Sequence, residues 1–196
     1  AVTRAGGQAV LTAADLPSGS DRIFAALEGL DPPDKDGTVR YDTVINLQGD
    51  LPALDPAQLT AVLAALPGFD IATLAAAIDN DADRADPAVV KAVVAWPPSA
   101  TADHQTNSAT ADQHQGDGRI GKALYFTRAQ APAGEGKLFH HVGLYAYTRA
   151  ALARFVALPP SPLEQREKLE QLRAVEAGMR IAVARVDEAP LSVDTP

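Results

Sequence analysis

The sequence contains no cysteine, only one tryptophan and one methionine, and its aromatic residues amount to 5%. Without cysteine there is no disulfide framework, no thiolate metal site and no cysteine nucleophile. Positive charge is scarce as well: 17 Lys and Arg stand against 25 Asp and Glu, for a net charge of −8. A balance of that sign argues against a nucleic-acid binder, which carries a basic patch, and against attraction to anionic lipid. No apolar run approaches the roughly 18 residues of a membrane span. The chain opens with no signal-peptide pattern of basic start, apolar core and cleavage site. The expected protein is therefore cytoplasmic, with neither nucleic acid nor a membrane as partner. What is present is 196 residues, 46% of them hydrophobic, enough for one α/β domain with its own core.

The chain is organised around Val44-Ile45-Asn46-Leu47-Gln48-Gly49-Asp50-Leu51-Pro52. The apolar start predicts a short parallel strand buried on both faces. Gly49 permits a sharp turn, and Asp55-Pro56-Ala57-Gln58 opens a helix with an N-cap, a first-position proline and a capping-box glutamine. Asp50 thus falls just past the carboxyl end of a strand, where ligands bind in open α/β sheets. A carboxylate there either caps the turn or holds a hard cation such as Mg2+, which takes one or two such groups plus phosphates.

On either side the pattern continues in the α/β manner. Residues 1–5 read as the end of a helix stopped by Gly6 and Gly7, and residues 8–12 as a short strand. A domain seldom begins at the end of a helix, so a preceding segment is expected. Ser18-Gly19-Ser20-Asp21-Arg22 precedes Ile23, Leu27 and Leu30 at helical spacing, and reads either as an N-cap cluster or as a ligand loop. Strands are predicted over 70–77, 89–95, 123–127, 140–147 and 181–184, and an acidic loop over 80–86. Lys91 inside its strand sits either at an edge or facing a ligand. Residues 97–121 are polar and read as a surface loop, with His104 and His114 as exposed loop histidines. Ser161-Pro162-Leu163-Glu164 is a capping box opening one helix over 162–177 that stops at Gly178. Arg128, His141 and Tyr145 are candidates to converge on one polar pocket.

Eight segments together resemble the 3-deoxy-manno-octulosonate (Kdo) cytidylyltransferase family. They are Ala5-Gly6-Gly7-Gln8-Ala9-Val10, Pro17-Ser18-Gly19-Ser20-Asp21-Arg22, Asn46-Leu47-Gln48-Gly49-Asp50, Ala123-Leu124-Tyr125-Phe126-Thr127-Arg128, His141-Val142-Gly143-Leu144-Tyr145-Ala146-Tyr147, Pro160-Ser161-Pro162-Leu163-Glu164-Gln165, Leu169-Glu170-Gln171-Leu172-Arg173 and Val193-Asp194-Thr195-Pro196. They occur in family order over almost the whole chain.

The resemblance implies a three-layer α/β/α fold of the nucleotide-diphospho-sugar transferase type, with a mostly parallel sheet. It implies a single nucleotidyltransferase domain over 1–196, N-terminally incomplete, with 123–160 as a sugar-binding and dimerisation subregion. The implied reaction couples CTP to Kdo, giving CMP-Kdo and pyrophosphate for lipopolysaccharide biosynthesis, in a cytoplasmic homodimer that uses Mg2+. Asp50 and Asp194 match the family's metal-binding, catalytic aspartates. Ser18, Gly19, Asp21, Arg22 and Gln48 match its nucleotide side, and Arg128, His141, Tyr145, Glu170 and Gln171 its sugar side. Leu51 stands where many members carry glutamate. The family's opening Pro-Ala-Arg…Ser-x-Arg-Leu-Pro-Gly-Lys motif, which binds the triphosphate, is not in this sequence. Two alternatives follow: a non-catalytic dimerising fragment, or a cytidylyltransferase for another acid sugar such as sialic acid.

Overall fold

A computed structural model of the chain describes residues 3–49, 51–98 and 118–190. Six strands and six α-helices are formed there. The strands are β1 (Thr43–Asn46), β2 (Ile71–Ile78), β3 (Lys91–Ala95), β4 (Ile120–Thr127), β5 (Leu138–Thr148) and β6 (Ile181–Val186). The helices are α1 (Gly19–Leu30), α2 (Pro56–Ala65), α3 (Asp81–Ala85), α4 (Arg149–Val156), α5 (Pro162–Glu167) and α6 (Gln171–Glu176). Among the described residues no helix is long and apolar enough to cross a membrane.

The strands make one sheet in the order β1-β5-β2-β6-β4-β3, and β3 also reaches back to β5 through Lys91 and His140. Among the described strands only β2 and β6 pair in parallel; β5 is antiparallel to β1, β2 and β3, and β4 is antiparallel to β3 and β6. The expected α/β class holds, but the described sheet is mixed rather than mostly parallel. The reason is the position of β5. Strands β1 and β2 run in the same direction, yet β5 lies between them, so each finds an antiparallel partner. Strand β1 is consequently an edge strand with Val44 and Ile45 half-buried, not the strand buried on both faces that its apolar run predicts.

The alternation of side chains along the strands builds two cores, one on each face. Ile71, Tyr145, Tyr147, Ile181 and Val183 face α1, α4 and α6, meeting Leu27, Leu152, Phe155 and Leu172. Ala72, Leu74, Leu144, Ala146, Ala182 and Ala184 face the other way, with Val62, Ala65 and Leu66 at the end of α2. Residues 123–160 supply β4, β5 and α4 to this sheet and its core.

Helix starts follow the local chemistry. Asp55 caps α2 through the Ala57 amide at 2.8 Å with Pro56 at the first position, and on α5 the Glu164 side chain accepts from the Ser161 amide, the glutamate half of the expected capping box. Gln58 does not close a box on α2; its amide nitrogen donates to the Glu188 carbonyl instead. Three further expectations are corrected. Residues 8–12 form no strand and leave Leu11 open to solvent, since no described strand lies beside them. The acidic stretch 80–86 folds into the short helix α3 because Asn80 accepts from the Asp83 amide as its N-cap. The single helix expected over 162–177 is two, because Lys168 adopts a left-handed conformation with φ 56°.

That break is held by an ion pair. Arg173 in α6 reaches back to Glu164 in α5 with both Nε and Nη2, at 2.9 and 2.6 Å, and both side chains are nearly buried, at 10% and 14% exposure. Glu164 also accepts from the Ser161 amide at 2.9 Å. The Arg173 hydrogen bond holds the Glu164 carboxyl below its ordinary range. Arg173→Met leaves that carboxylate buried without its cation, so it should destabilise the chain by about 3 kcal/mol in urea unfolding. The Glu164 contribution is present above the ordinary glutamate pKa and lost as pH falls through the lowered one, so the mutant should show a weaker acid-side loss of stability.

Candidate active site

A cavity of about 440 Å3 opens on one side of the sheet. Its wall comes from the start of α1, the carboxyl end of β1, the middle of β5, Arg128 after β4, and the α5–α6 break. Six of the sequence-predicted residues line it: Gln48, Arg128, His141, Tyr145, Glu170 and Gln171. They come from four separate stretches of the chain, which meet because β5 crosses the sheet beside β1 and because the chain turns at Lys168.

The deep wall is aromatic and uncharged. His141 is buried, packs edge-on against Phe126 with ring centroids 4.9 Å apart, and lies 5.5 Å from the Tyr145 ring. Its Nε2 is 3.0 Å from the Thr73 hydroxyl, which also sees the carbonyls of Val142 at 3.1 Å and Leu144 at 2.9 Å. That hydroxyl has one proton for two carbonyls and can accept one from the ring. The arrangement that satisfies every group therefore protonates His141 on Nε2 and leaves Nδ1 as an acceptor. Burial, helped by the neighbouring His140, holds the His141 imidazole down at about 3. Burial likewise pushes the Tyr145 phenol up, so it stays a hydroxyl donor.

The rim is polar and incompletely paired. Ser20 donates to Glu170 Oε2 at 3.2 Å, but buried Glu170 Oε1 and Gln171 Nε2 have no hydrogen-bond partner. The guanidinium of Arg173 is 3.8 Å from that free oxygen, beyond hydrogen-bonding distance. Buried polar atoms without partners are uncommon and costly; here an acceptor and a donor belong to consecutive residues that both line the cavity. Arg128 adds a cation. Its Nε and Nη1 donate to the carbonyls of Glu167 and Pro87, at 3.0 and 3.1 Å, and among the described residues no carboxylate pairs with its guanidinium.

The remaining predicted residues are placed differently. Ser18 caps α1 and donates to Asp21 Oδ2 at 2.6 Å. Arg22 ties down residues 12–16 through Thr12 and the carbonyls of Ala13, Ala14 and Leu16. Neither these three nor Gly19 lines the cavity, whereas Ser20 between them does. Asp50 and Asp194 lie outside the described residues. Among the described residues no group of three His, Asp or Glu side chains is gathered closely enough to hold a metal ion. Asn46, His140 and Lys168 also line the cavity. Asn46 was legible as the polar end of a strand next to Gln48; Lys168 carried no signal, because its place depends on a break that helical periodicity hides.

The neutral His141 generates a pH dependence. In the folded chain it stays unprotonated down to about pH 3, whereas unfolded it titrates at the ordinary 6.5. Between those values the unfolded state binds the extra proton, so stability rises with pH through that window and is level above it. The chain should be about 1 kcal/mol less stable near pH 5.5 than near pH 7 by this route. His141→Gln should flatten that part of a plot of melting temperature against pH.

Comparison with known proteins places this architecture. A family model described as "Cytidylyltransferase" matches residues 1–181. The chain is 56% identical over 198 aligned positions to 3-deoxy-manno-octulosonate cytidylyltransferase of Parvibaculum lavamentivorans, covering 100% of this chain and 67% of that protein. It is 58% identical to the protein of the same name from Rhodospirillum centenum, covering 100% of this chain and 68% of that one. Among solved structures it superimposes on CMP:2-keto-3-deoxy-manno-octonic acid synthetase complexed with CTP, with a TM-score of 0.76, 34% identity, and coverage of 100% of this chain and 70% of that one. The chain belongs to the cytidylyltransferase family, and its fold is that of this synthetase.

Proposed function

We propose that the chain couples CTP to the acid sugar 3-deoxy-manno-octulosonate, releasing pyrophosphate and forming the CMP-sugar. The observation that carries this reading is the presence, in one cavity, of a guanidinium with no carboxylate partner among the described residues, together with an acceptor and a donor that make no hydrogen bond. Arg128 is suited to the sugar's carboxylate, and Glu170 Oε1 and Gln171 Nε2 to its hydroxyls. Charge-assisted bonds to a planar carboxylate are the strong ones, and arginine presents them in a fixed fork. Tyr145 and neutral His141 add a donor and an acceptor without adding charge. The relatives' names and the CTP-bound neighbour point to the same substrates.

In this reaction the sugar's anomeric oxygen bonds to the α-phosphorus while the bond from that phosphorus to the bridging oxygen breaks, and pyrophosphate leaves. Such transfers depend on positioning and charge neutralisation more than on covalent help. The chain's described part positions the sugar, and Gln48 at the rim is assigned to the nucleotide side. We assign Mg2+ to Asp50 and Asp194. Two carboxylates with phosphate oxygens are the donor set this ion takes, and Gln48 and Leu51, flanking Gly49 and Asp50 in sequence, both line the cavity. When bound, the ion screens the triphosphate and lowers the pKa of the attacking hydroxyl. The nucleotide substrate belongs to the cytoplasm, and a homodimer is the proposed assembly.

The direct test is pyrophosphate release from CTP on adding Kdo and Mg2+, with Asp50→Asn as the inactive control. Arg128→Leu should raise the KM for Kdo about tenfold or more, the loss of one charge-assisted contact, and leave the KM for CTP nearly unchanged. Gln171→Ala should raise the KM for Kdo less, about fivefold, as a neutral contact is lost. Turnover of sialic acid in place of Kdo, or equal changes in both KM values, would overturn the assignment.

A further inference from the structure

Glu167 closes α5 immediately before the left-handed Lys168 and does not itself line the cavity. Two of its four bonds nevertheless go to one residue that does, Arg128. Glu167 Oε1 accepts from the Thr127 hydroxyl at 2.8 Å and the Tyr125 hydroxyl at 3.3 Å. Glu167 Oε2 accepts from the Arg128 amide at 3.0 Å, and the Glu167 carbonyl accepts from Arg128 Nε at 3.0 Å. Arg128 is therefore fixed at main chain and side chain by a single residue. Its other anchor, the Pro87 carbonyl, lies in the 86–90 segment. There buried Lys91 donates to the Asp86 carbonyl, and Val90 accepts from the His141 amide at 2.8 Å.

The kind of anchor matters. A carboxylate placed on the guanidinium would neutralise it, whereas here the Glu167 carboxylate is taken up by two hydroxyls and an amide. Among the described residues the guanidinium meets only carbonyls. Two of its five N–H groups are engaged, and three remain. The same residue leads directly into the turn that carries Glu170 and Gln171, so the cation and the hydroxyl-binding pair are set on one rigid support.

We infer that Glu167 is a positioning residue for the sugar's acid group, holding Arg128 so that its remaining N–H groups meet the substrate carboxylate while its charge stays uncompensated by protein. The inference rests on the Kdo reading above. A merely structural Glu167, joining α5 to β4, would weaken all ligands alike; a positioning Glu167 acts on the carboxylate alone.

The experiment is calorimetric titration of the full chain with Kdo, its methyl ester and CTP, in wild type, Glu167→Gln and Thr127→Val, with melting temperatures recorded for each. Wild type should prefer the acid to the ester by about tenfold, the value of one charge-assisted contact. Glu167→Gln should lose most of that preference while its affinities for the ester and for CTP stay within about twofold of wild type. Should Glu167→Gln not fold, Thr127→Val carries the test, with a loss of about threefold in the preference. An unchanged acid-to-ester ratio in the folded variant overturns the inference and leaves the Kdo reading standing. A wild-type chain that binds CTP but not Kdo overturns both.

Discussion

The hydrogen bonding of β5 determines where everything else in the site falls. Its carboxyl half pairs with β1 on one edge while its full length pairs with β2 on the other. Near its start, His140 meets Lys91 of β3 on the edge it later offers to β1. A strand committed to three partners has no freedom of register, because a slip of one residue would turn every side chain to the opposite face. With that register fixed, Leu144 and Ala146 go to the α2 side, and Tyr145 and Tyr147 to the side of α4 and the cavity. The shift in pairing between Thr73 and Leu74 of β2 lies alongside, where the Thr73 hydroxyl faces the backbone of Val142 and Leu144 and the His141 ring.

Two kinds of polarity result, and they differ in magnitude. The inner wall holds groups whose charged forms burial suppresses, so His141 and Tyr145 contribute directional neutral bonds of about 1 kcal/mol each. The rim holds Arg128, a charge whose bonds to a carboxylate are roughly twice as strong. That charge is half-exposed, so water screens part of the difference. On the function proposed above, the rim would discriminate an acid sugar from a neutral one, and the inner wall and the α5–α6 turn would discriminate among hydroxyl patterns.

Much of this was legible in the residues. The N-caps at Ser18, Asp55 and Ser161 announce three helices, and the β-branched and apolar runs announce β2, β3 and β6. Of the twelve residues the family resemblance singles out, Gln48, Arg128, His141, Tyr145, Glu170 and Gln171 line one cavity, whereas Ser18, Gly19, Asp21 and Arg22 do not and Asp50 and Asp194 lie outside the described residues. What the residues conceal is non-local. A buried apolar run such as Val44-Ile45 looks the same at a sheet edge as at its centre, because burial by helices and burial by strands leave the same composition. Strand direction is equally silent, since β5 carries no mark of having β1 and β2 on either side. The helix break is hidden for the opposite reason. The helical spacing of Leu169, Leu172 and Val175 already starts inside the gap, before α6 begins, and the left-handed residue is a lysine rather than the glycine that usually declares such a turn.

Lys91 shows how far that concealment reaches. Inside a strand of small apolar residues a lysine is either an edge residue or a ligand contact, and here it is fully buried. Burial pulls its pKa down, with Asp86 and Asp83 opposing. Its ammonium donates to the Asp86 carbonyl, pinning the start of the segment whose Pro87 carbonyl steadies Arg128. A methyl-terminated side chain would fill the same space more cheaply. A charged donor held there is consistent with a loop that must keep one geometry while its outer residues, Ala88 and Val90, stay against the open cavity. The cation at the rim is thus backed by a second, hidden cation that touches no ligand. Lys91 holds the Asp86 carbonyl and Arg128 those of Glu167 and Pro87, so neither draws on the other's partners.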